Sequence, residues 1–252
     1  MKDYITFLSF DDLSEDDLLK RYCEDVADNK KVITITPNLD GLRIAYKDIE
    51  LRDNLNKADY STIDGKPIIW VAKILKKKHF KHKISGSDLV PNVLKLANEK
   101  GWTVTIFGGK EGVADRAKEK IEKEYPNVKV AATICPEFGF EKDPNNSEKY
   151  AQMISSASAN INLLCTGFPK TEKFFFENYN LFGPGLYFCV GATVDFIAGN
   201  VKRAPKWMSN CGLEWFYRLT QDFGRLFKRY WLDFWFLIKI LFLIIFLRKW
   251  RD

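Results

Sequence analysis

The chain predicts an α/β protein: a Rossmann-like, mostly parallel sheet with helices on both faces, followed by a helical C-terminal appendage. Three observations predict it. Short runs rich in Val, Ile and Thr recur, with segments of helical character between them. These runs end on turn residues, among them Pro37-Asn38, Asp64-Gly65, Gly108-Gly109 and Gly191. The charge is uneven: residues 201–252 hold 11 Lys/Arg against 4 Asp/Glu, a net of +7, leaving 28 basic against 29 acidic in the first 200.

Taken in order, residues 13–28 read as a surface helix capped by Ser14, with acidic residues in its first turn. Residues 31–36 are β-branched and mostly apolar, a buried strand stopped by Pro37-Asn38. Residues 42–55 read as one helix, and 59–63 as a short strand stopped by Asp64-Gly65. A lysine-rich helix follows Pro67. The rhythm then repeats: strand 102–107, loop 108–112, helix 113–125, strand 128–132, helix 147–156, strand 159–165. Gly167-Phe168-Pro169 leads into another helix, with Pro169 suited to its first turn, and 186–190 is one more strand. Ligands of such sheets bind beyond the carboxyl ends of the strands.

At 252 residues the chain can bury a full core, and 46% hydrophobic with 29% charged content is ordinary for a globular protein. Five scattered Cys without a C-x-x-C argue against a disulfide framework or zinc ribbon, and read as buried small hydrophobes in a reducing compartment. The N-terminus has no apolar h-region, so the body is expected to be cytoplasmic.

The tail interleaves cations with aromatics and holds five of the seven Trp. It ends in an uninterrupted apolar run, 234–247, with Lys239 in its middle. As a helix this run covers about 21 Å, short of a hydrocarbon core of about 30 Å. It is also basic on both flanks, where a single span wants its positive charge on one side. A helix lying in the cytoplasmic membrane interface fits better, with an anionic membrane surface as partner. Nucleic acid is excluded as the better partner because the cations share their segment with the apolar run. The chain divides on this reading into 1–200, an α/β core; 201–230, a basic helical appendage completing the site; and 231–252, an apolar membrane-associating segment.

Candidate site residues sit just past the strands. Gly108-Gly109-x-x-Gly112 is either a phosphate cradle at a helix N-terminus or a plain βα turn. Asp64 is either a turn residue or a general base at the strand edge, and Thr36 and Asn38 occupy the matching edge of the first strand. Together these strand ends point to a pocket. There is no Asp-x-Asp to hold a divalent cation on a diphosphate, so Lys and Arg are expected to neutralise one, and no metal or cofactor is expected. His79 and His82 lie among five lysines and read as a solvated basic face.

Thr36-x-Asn38, Asp64-Gly65, Gly108-Gly109-x-x-Gly112, Gly167-x-Pro169-Lys170-x-Glu172, Val190-Gly191-Ala192-x-x-Asp195, Arg203-Ala204-Pro205 and Glu214-Trp215-x-Tyr217-Arg218 fall in an ordered series. The series, from about Val32 to about Arg229, resembles the WecG/TagA/CpsF glycosyltransferases, family 26. The resemblance implies an inverting, metal-independent enzyme at the cytoplasmic membrane face. It would move a sugar from a UDP-sugar onto a sugar carried by a lipid diphosphate in surface-polysaccharide synthesis, such as teichoic acid or capsule. N-acetylmannosamine is the default sugar, with glucosyl or galactosyl transfer the alternative. An inactive membrane-binding scaffold is the alternative of another class, and self-association stays open. The resemblance makes Asp64 the base and puts Thr36 in the acceptor pocket. Asn38, Gly108, Gly109, Gly112, Lys170, Thr171, Glu172, Gly191 and Asp195 are the candidates for substrate binding. Arg203, Arg218, Arg225 and Lys228 would meet diphosphate, either of the donor or of the lipid. The chain departs from the family in having Thr171 for a Gln and Lys228 for an Arg, which loses the bidentate fork for phosphate. Truncation after Val201 is expected to leave a soluble protein of little activity.

Overall fold

The computed structural model of the chain describes residues 2–77, 79–205, 208 and 212–250, without the side chain of Arg225. Lys78, Lys206, Trp207 and Cys211 of the stretches read above lie outside the described residues. The elements run β1 (Lys2–Ile5), β2 (Leu8–Asp11), α1 (Glu15–Ala27), β3 (Lys31–Ile35), α2 (Leu39–Lys47), α3 (Ile49–Asn56), β4 (Tyr60–Ser61), α4 (Lys66–Ile74) and α5 (Gly86–Lys100). They continue with β5 (Thr103–Gly108), α6 (Val113–Glu124), β6 (Lys129–Ile134), α7 (Pro144–Ser156), β7 (Ile161–Cys165), α8 (Lys170–Glu177), β8 (Gly185–Cys189), α9 (Thr193–Ala198), α10 (Glu214–Gln221) and α11 (Phe223–Ile245).

Six strands pair in parallel in the order β4-β3-β8-β7-β5-β6. Alternate residues of each strand feed opposite faces, as a period of two requires. Ile33, Ile35, Phe107, Leu164 and Tyr187 meet α2, α3, α4, α7 and α8 on one face. Val32, Val104, Ile106, Leu163, Leu186 and Phe188 meet α1, α5, α6 and α9 on the other. Both faces are buried, which is why these strands read as apolar runs rather than alternating ones.

Four features depart from the sequence expectation. The helix expected over 42–55 is two helices. Asp48 leaves the helical region (φ −106°, ψ 98°), and its carboxylate accepts from the Leu51 N–H at 3.0 Å, ending one helix and capping the next. A short antiparallel hairpin, β1–β2, sits at the N-terminus and places Ile5, Leu8 and Phe10 in the first core face. α5 was not read from the sequence because its first turns, Gly86-Ser87-Asp88 and Pro91, carry loop-forming residues. Ser85 caps it, its hydroxyl accepting from the Asp88 N–H and donating to the Asp88 carboxylate. Finally, Cys165 and Cys189 are buried, whereas Cys135 is exposed and Cys23 half-buried.

The tail packs on the body. α11 runs from Phe223 to Ile245, across residue 230. Its Phe236, Ile240 and Ile244 are buried within the first core cluster, beside residues of α2 and α4. The opposite side of α11 carries exposed Phe, Trp and Ile. Among the described residues no helix is long and apolar enough to cross a membrane.

Candidate active site

The site forms where the ends of β3 and β4 meet the tail. Beyond β4 the chain stays beside β3: the Thr62 N–H donates to the Ile35 carbonyl at 3.0 Å, and the Asp64 N–H to the Pro37 carbonyl at 3.1 Å. This fixes Asp64 next to Asn38. Gly65 follows at φ +108°, a conformation that L side chains rarely adopt, and so turns the chain into α4 with Pro67 in its first turn. Asn38 caps α2, its side-chain oxygen accepting from the Gly41 N–H at 3.1 Å. The Asp-Gly pair and Asn38 thus perform the local roles of turn and cap while standing at the mouth of a cavity.

That cavity has a volume of about 520 Å³. Asn38, Asp40, Asp64, Lys66 and Lys83 line it from the body, and Glu214, Trp215, Arg218, Arg229, Tyr230 and Asp233 from the tail. Asp64 keeps some surface toward the cavity while lying deep in the protein. Burial pushes its carboxyl up to about 6; the Arg218 and Lys83 cations pull it down, and the Glu214 and Asp88 carboxylates push it further up. Such a group is mostly ionised at neutral pH yet basic enough to take a proton. Arg218 pairs with Glu214 at 3.5 Å and lies over the Phe196 ring at 5.0 Å. Lys83 reaches Glu214 at 4.0 Å and Asp88 at 3.6 Å.

A second charged group ties the tail to the body. Arg43 on α2 bonds both Asp40 and Asp233. Arg229 approaches the other Asp40 oxygen at 3.0 Å and the Asn38 side-chain oxygen at 3.5 Å. Asp40 and Asp233 are buried, and burial lifts the Asp233 carboxyl to about 6, against the hydrogen bond from Arg43. Two acids and two guanidinium groups therefore latch α11 onto α2 directly beside Asn38.

The other expected site residues are placed differently. Thr36 is half-buried at the end of β3, and it is Asn38 that reaches the cavity wall. Gly108, Gly109, Gly167 and Gly191 stand at the ends of β5, β7 and β8, which follow β3 along the sheet order. A side chain on Gly108 would meet the Cys165 carbonyl group at 2.6 Å, so contact with β7 alone demands glycine there. Gly112 caps α6. Lys170 turns away to pair with Glu141 at 3.0 Å. The Thr171 hydroxyl is buried against Thr166 (2.9 Å) and donates to the Gly167 carbonyl, so it does not face the cavity. Asp195 lies in α9, its carboxylate 3.5 Å from the Asn200 amide. Arg203 bonds Asp88 and Ser87 and opens onto a separate groove between α5, α6 and α9. Lys228 is exposed on α11 and is not among the cavity-lining residues. Arg225 lies in the first turn of α11, its side chain outside the described set.

Asp40, Lys83, Arg229 and Asp233 were not identified from the sequence as site residues. The Arg229–Asp233 spacing of four and the Asp40–Arg43 spacing of three were legible as helix pairs, though not their meeting. Among the described residues no cluster of three His, Cys, Asp or Glu side chains is placed to hold a metal ion.

Glu172 is the one expected site residue with a distinct physical consequence elsewhere. It is 5% exposed, and its Oε2 has no hydrogen-bond partner among the described residues. Burial raises its carboxyl from the ordinary 4.5 to about 8. The folded protein holds this proton where the unfolded chain releases it, so stability is lost as pH rises from about 4.5 to about 8. The slope from this group is at most about 1.4 kcal/mol per pH unit. Urea unfolding at pH 5, 7 and 9 is expected to show Glu172→Gln losing less stability with pH than wild type. Parallel curves for the two proteins would contradict the assignment.

An α/β sheet with a carboxylate and several cations gathered in a cavity beyond its strand ends is the arrangement of a ligand-binding or catalytic site. More particularly, the chain belongs to the WecG/TagA/CpsF glycosyltransferase family, whose profile matches residues 4–251, and it is a glycosyltransferase. A protein of Bacillus subtilis (strain 168) named N-acetylglucosaminyldiphosphoundecaprenol N-acetyl-beta-D-mannosaminyltransferase is 30% identical over 203 residues, 81% of this chain and 76% of its own. A protein of the same name from Bacillus spizizenii is 27% identical over 197 residues, 78% of this chain and 74% of its own.

Proposed function

We propose that the chain transfers a sugar from a UDP-sugar onto a sugar joined through a diphosphate to a polyprenyl lipid, with inversion and without a divalent metal. N-acetylmannosamine is the donor sugar and lipid-linked N-acetylglucosamine the acceptor, following the names of the two relatives. The product would enter cell-surface polymer synthesis. The observation that carries the reading is the composition of the cavity. Asp64, Arg218, Lys83 and Arg229 line it together with Trp215, Phe227, Trp231, Phe234 and Leu237. An acceptor with a sugar hydroxyl, a diphosphate and a hydrocarbon chain combines the chemistries that these side chains would meet.

In the reaction, the Asp64 carboxylate takes the proton of the acceptor hydroxyl. The freed oxygen pair attacks the anomeric carbon, and the bond from that carbon to the UDP oxygen breaks, its electron pair leaving with UDP. Arg218 and Arg229 stabilise diphosphate charge through guanidinium forks. The protein works at the cytoplasmic membrane surface because the acceptor cannot leave the bilayer. The exposed apolar side of α11 and the cationic tail attach it there.

This reading gives Arg229, rather than Lys228, the third cationic position. Arg229→Gln is expected to lower kcat/KM for the acceptor by roughly 10- to 100-fold, the loss of a charged hydrogen bond. Lys228→Gln is expected to change it less than about threefold. Equal losses would remove the distinction. The reading as a whole is tested by UDP release from the purified chain, with a panel of UDP-sugars and a short-chain N-acetylglucosaminyl diphosphate lipid. UDP release that depends on the acceptor is expected; no acceptor-dependent release with any donor would overturn the proposal.

A further inference from the structure

Part of the cavity lining is aromatic and takes no part in the bond-making step. Phe227, Trp231 and Phe234 of α11 form part of its wall, yet they are 49%, 53% and 53% exposed. They are ordered as a ladder. The Phe227 and Trp231 rings stack with centroids 6.4 Å apart and planes at 17°, and Trp231 and Phe234 at 6.5 Å and 30°. Phe223 extends the ladder below Phe227 at 5.1 Å and 25°. Spacings of four, four and three residues put all four rings on one stripe of the helix.

The helix behind this stripe is fixed. Phe236, Ile240 and Ile244 hold α11 in the core, and the Asp233–Arg43 bond of 2.7 Å latches it to α2. The stripe therefore cannot turn inward to bury its rings. Its Phe227, Trp231 and Phe234 line the same cavity as Arg218 and Arg229 while staying half open to solvent. A ligand that meets both kinds of side chain carries its diphosphate directly on a hydrocarbon. The half-exposed surface left by these offset rings suits an unsaturated, branched chain, whose planar carbon–carbon double bonds and methyl groups lie against it.

We infer that this ladder is a rail for the first isoprenoid units of the acceptor, and that Phe227, Trp231 and Phe234 set a preference for a polyprenyl chain over a saturated one. The inference rests on the acceptor class proposed above and adds a chain-recognition subsite to it. A stripe that met only the bilayer would show no such preference, and this separates the two uses of the same surface.

The test uses the full chain in detergent micelles with two acceptors. Both carry the same N-acetylglucosaminyl diphosphate head, one on a polyprenyl chain and one on a saturated alkyl chain with the same number of carbons. Wild type is expected to favour the polyprenyl acceptor in kcat/KM on the order of tenfold, the scale of one or two aromatic contacts. Trp231→Ala and Phe234→Ala are expected to bring the ratio toward one, through KM rather than kcat. Trp231→Phe keeps a ring and should keep the preference, which guards against misreading a folding defect. Phe242→Ala, exposed two turns beyond Phe234, should leave the ratio unchanged. No preference in wild type, its retention in both alanine variants, or an equal loss in Phe242→Ala would overturn the rail. So would variants that lose binding to anionic phospholipid vesicles while keeping the ratio. Failure of wild type to use either acceptor would instead count against the proposed acceptor class.

Discussion

Asp64→Asn is expected to lower kcat by roughly 10² to 10⁴-fold, the range of a lost general base. Asn fits the same space and preserves the backbone bond from residue 64 to the Pro37 carbonyl, so the turn into α4 should survive. KM for the acceptor should change little. Removing a buried carboxylate also removes a folding cost. The folded-state value near 6 lies above the ordinary 3.8, so wild type loses stability as pH rises from about 3.8 to about 6, and Asp64→Asn should be spared that loss. A variant that is inactive yet no less stable than wild type at pH 8 would separate chemistry from folding. Near-wild-type turnover would remove Asp64 from the mechanism.

Truncation after Asp222 carries the second large effect, and here packing changes what the sequence led one to expect. An apolar tail that served only as an anchor would leave a soluble body behind. Instead, removing α11 takes Phe236, Ile240 and Ile244 out of the main core and strips cover from α2 and α4. Large-to-small changes at such sites cost about 2–5 kcal/mol each. Three together approach the 5–15 kcal/mol that holds an ordinary domain folded. The truncated chain is expected to aggregate or to melt far below the full chain, and to lose activity with the Arg229 side of the cavity. A monomeric product with an unchanged cooperative melt would show the helix to be dispensable to the fold.

These two outcomes mark what was legible in the sequence. The parallel sheet could be read because strands covered on both faces are short β-branched runs, such as Val32-Ile33-Thr34-Ile35, and each ends on a turn. Ser14 and Asn38 were recognisable caps for the same local reason. Asp48 was not, because a single Asp inside a helical pattern signals a break only once the Leu51 N–H is seen to bond it. Asp64, Asn38 and Arg218 were legible as candidates from strand ends and motif order, and they line one cavity. The latch of Asp40, Arg43, Arg229 and Asp233 was not, because it joins positions about 190 residues apart, as in the bond from Arg43 to Asp233. The apolar run hid its own division: Phe236, Ile240 and Ile244 face the core while Phe234, Ile238 and Phe242 face out, a distinction of helix phase that uniform hydrophobicity conceals.

On the proposed mechanism, Asp64 in the cavity lining acts as the base. The most direct measurement is the pH dependence of kcat/KM for sugar transfer to a short-chain acceptor between pH 4.5 and 8.5. The rate is expected to rise tenfold per pH unit at the acid end, reach half its plateau near pH 6, and stay flat to pH 8. A rate independent of pH across this range, or one that rises only above pH 8, would contradict it.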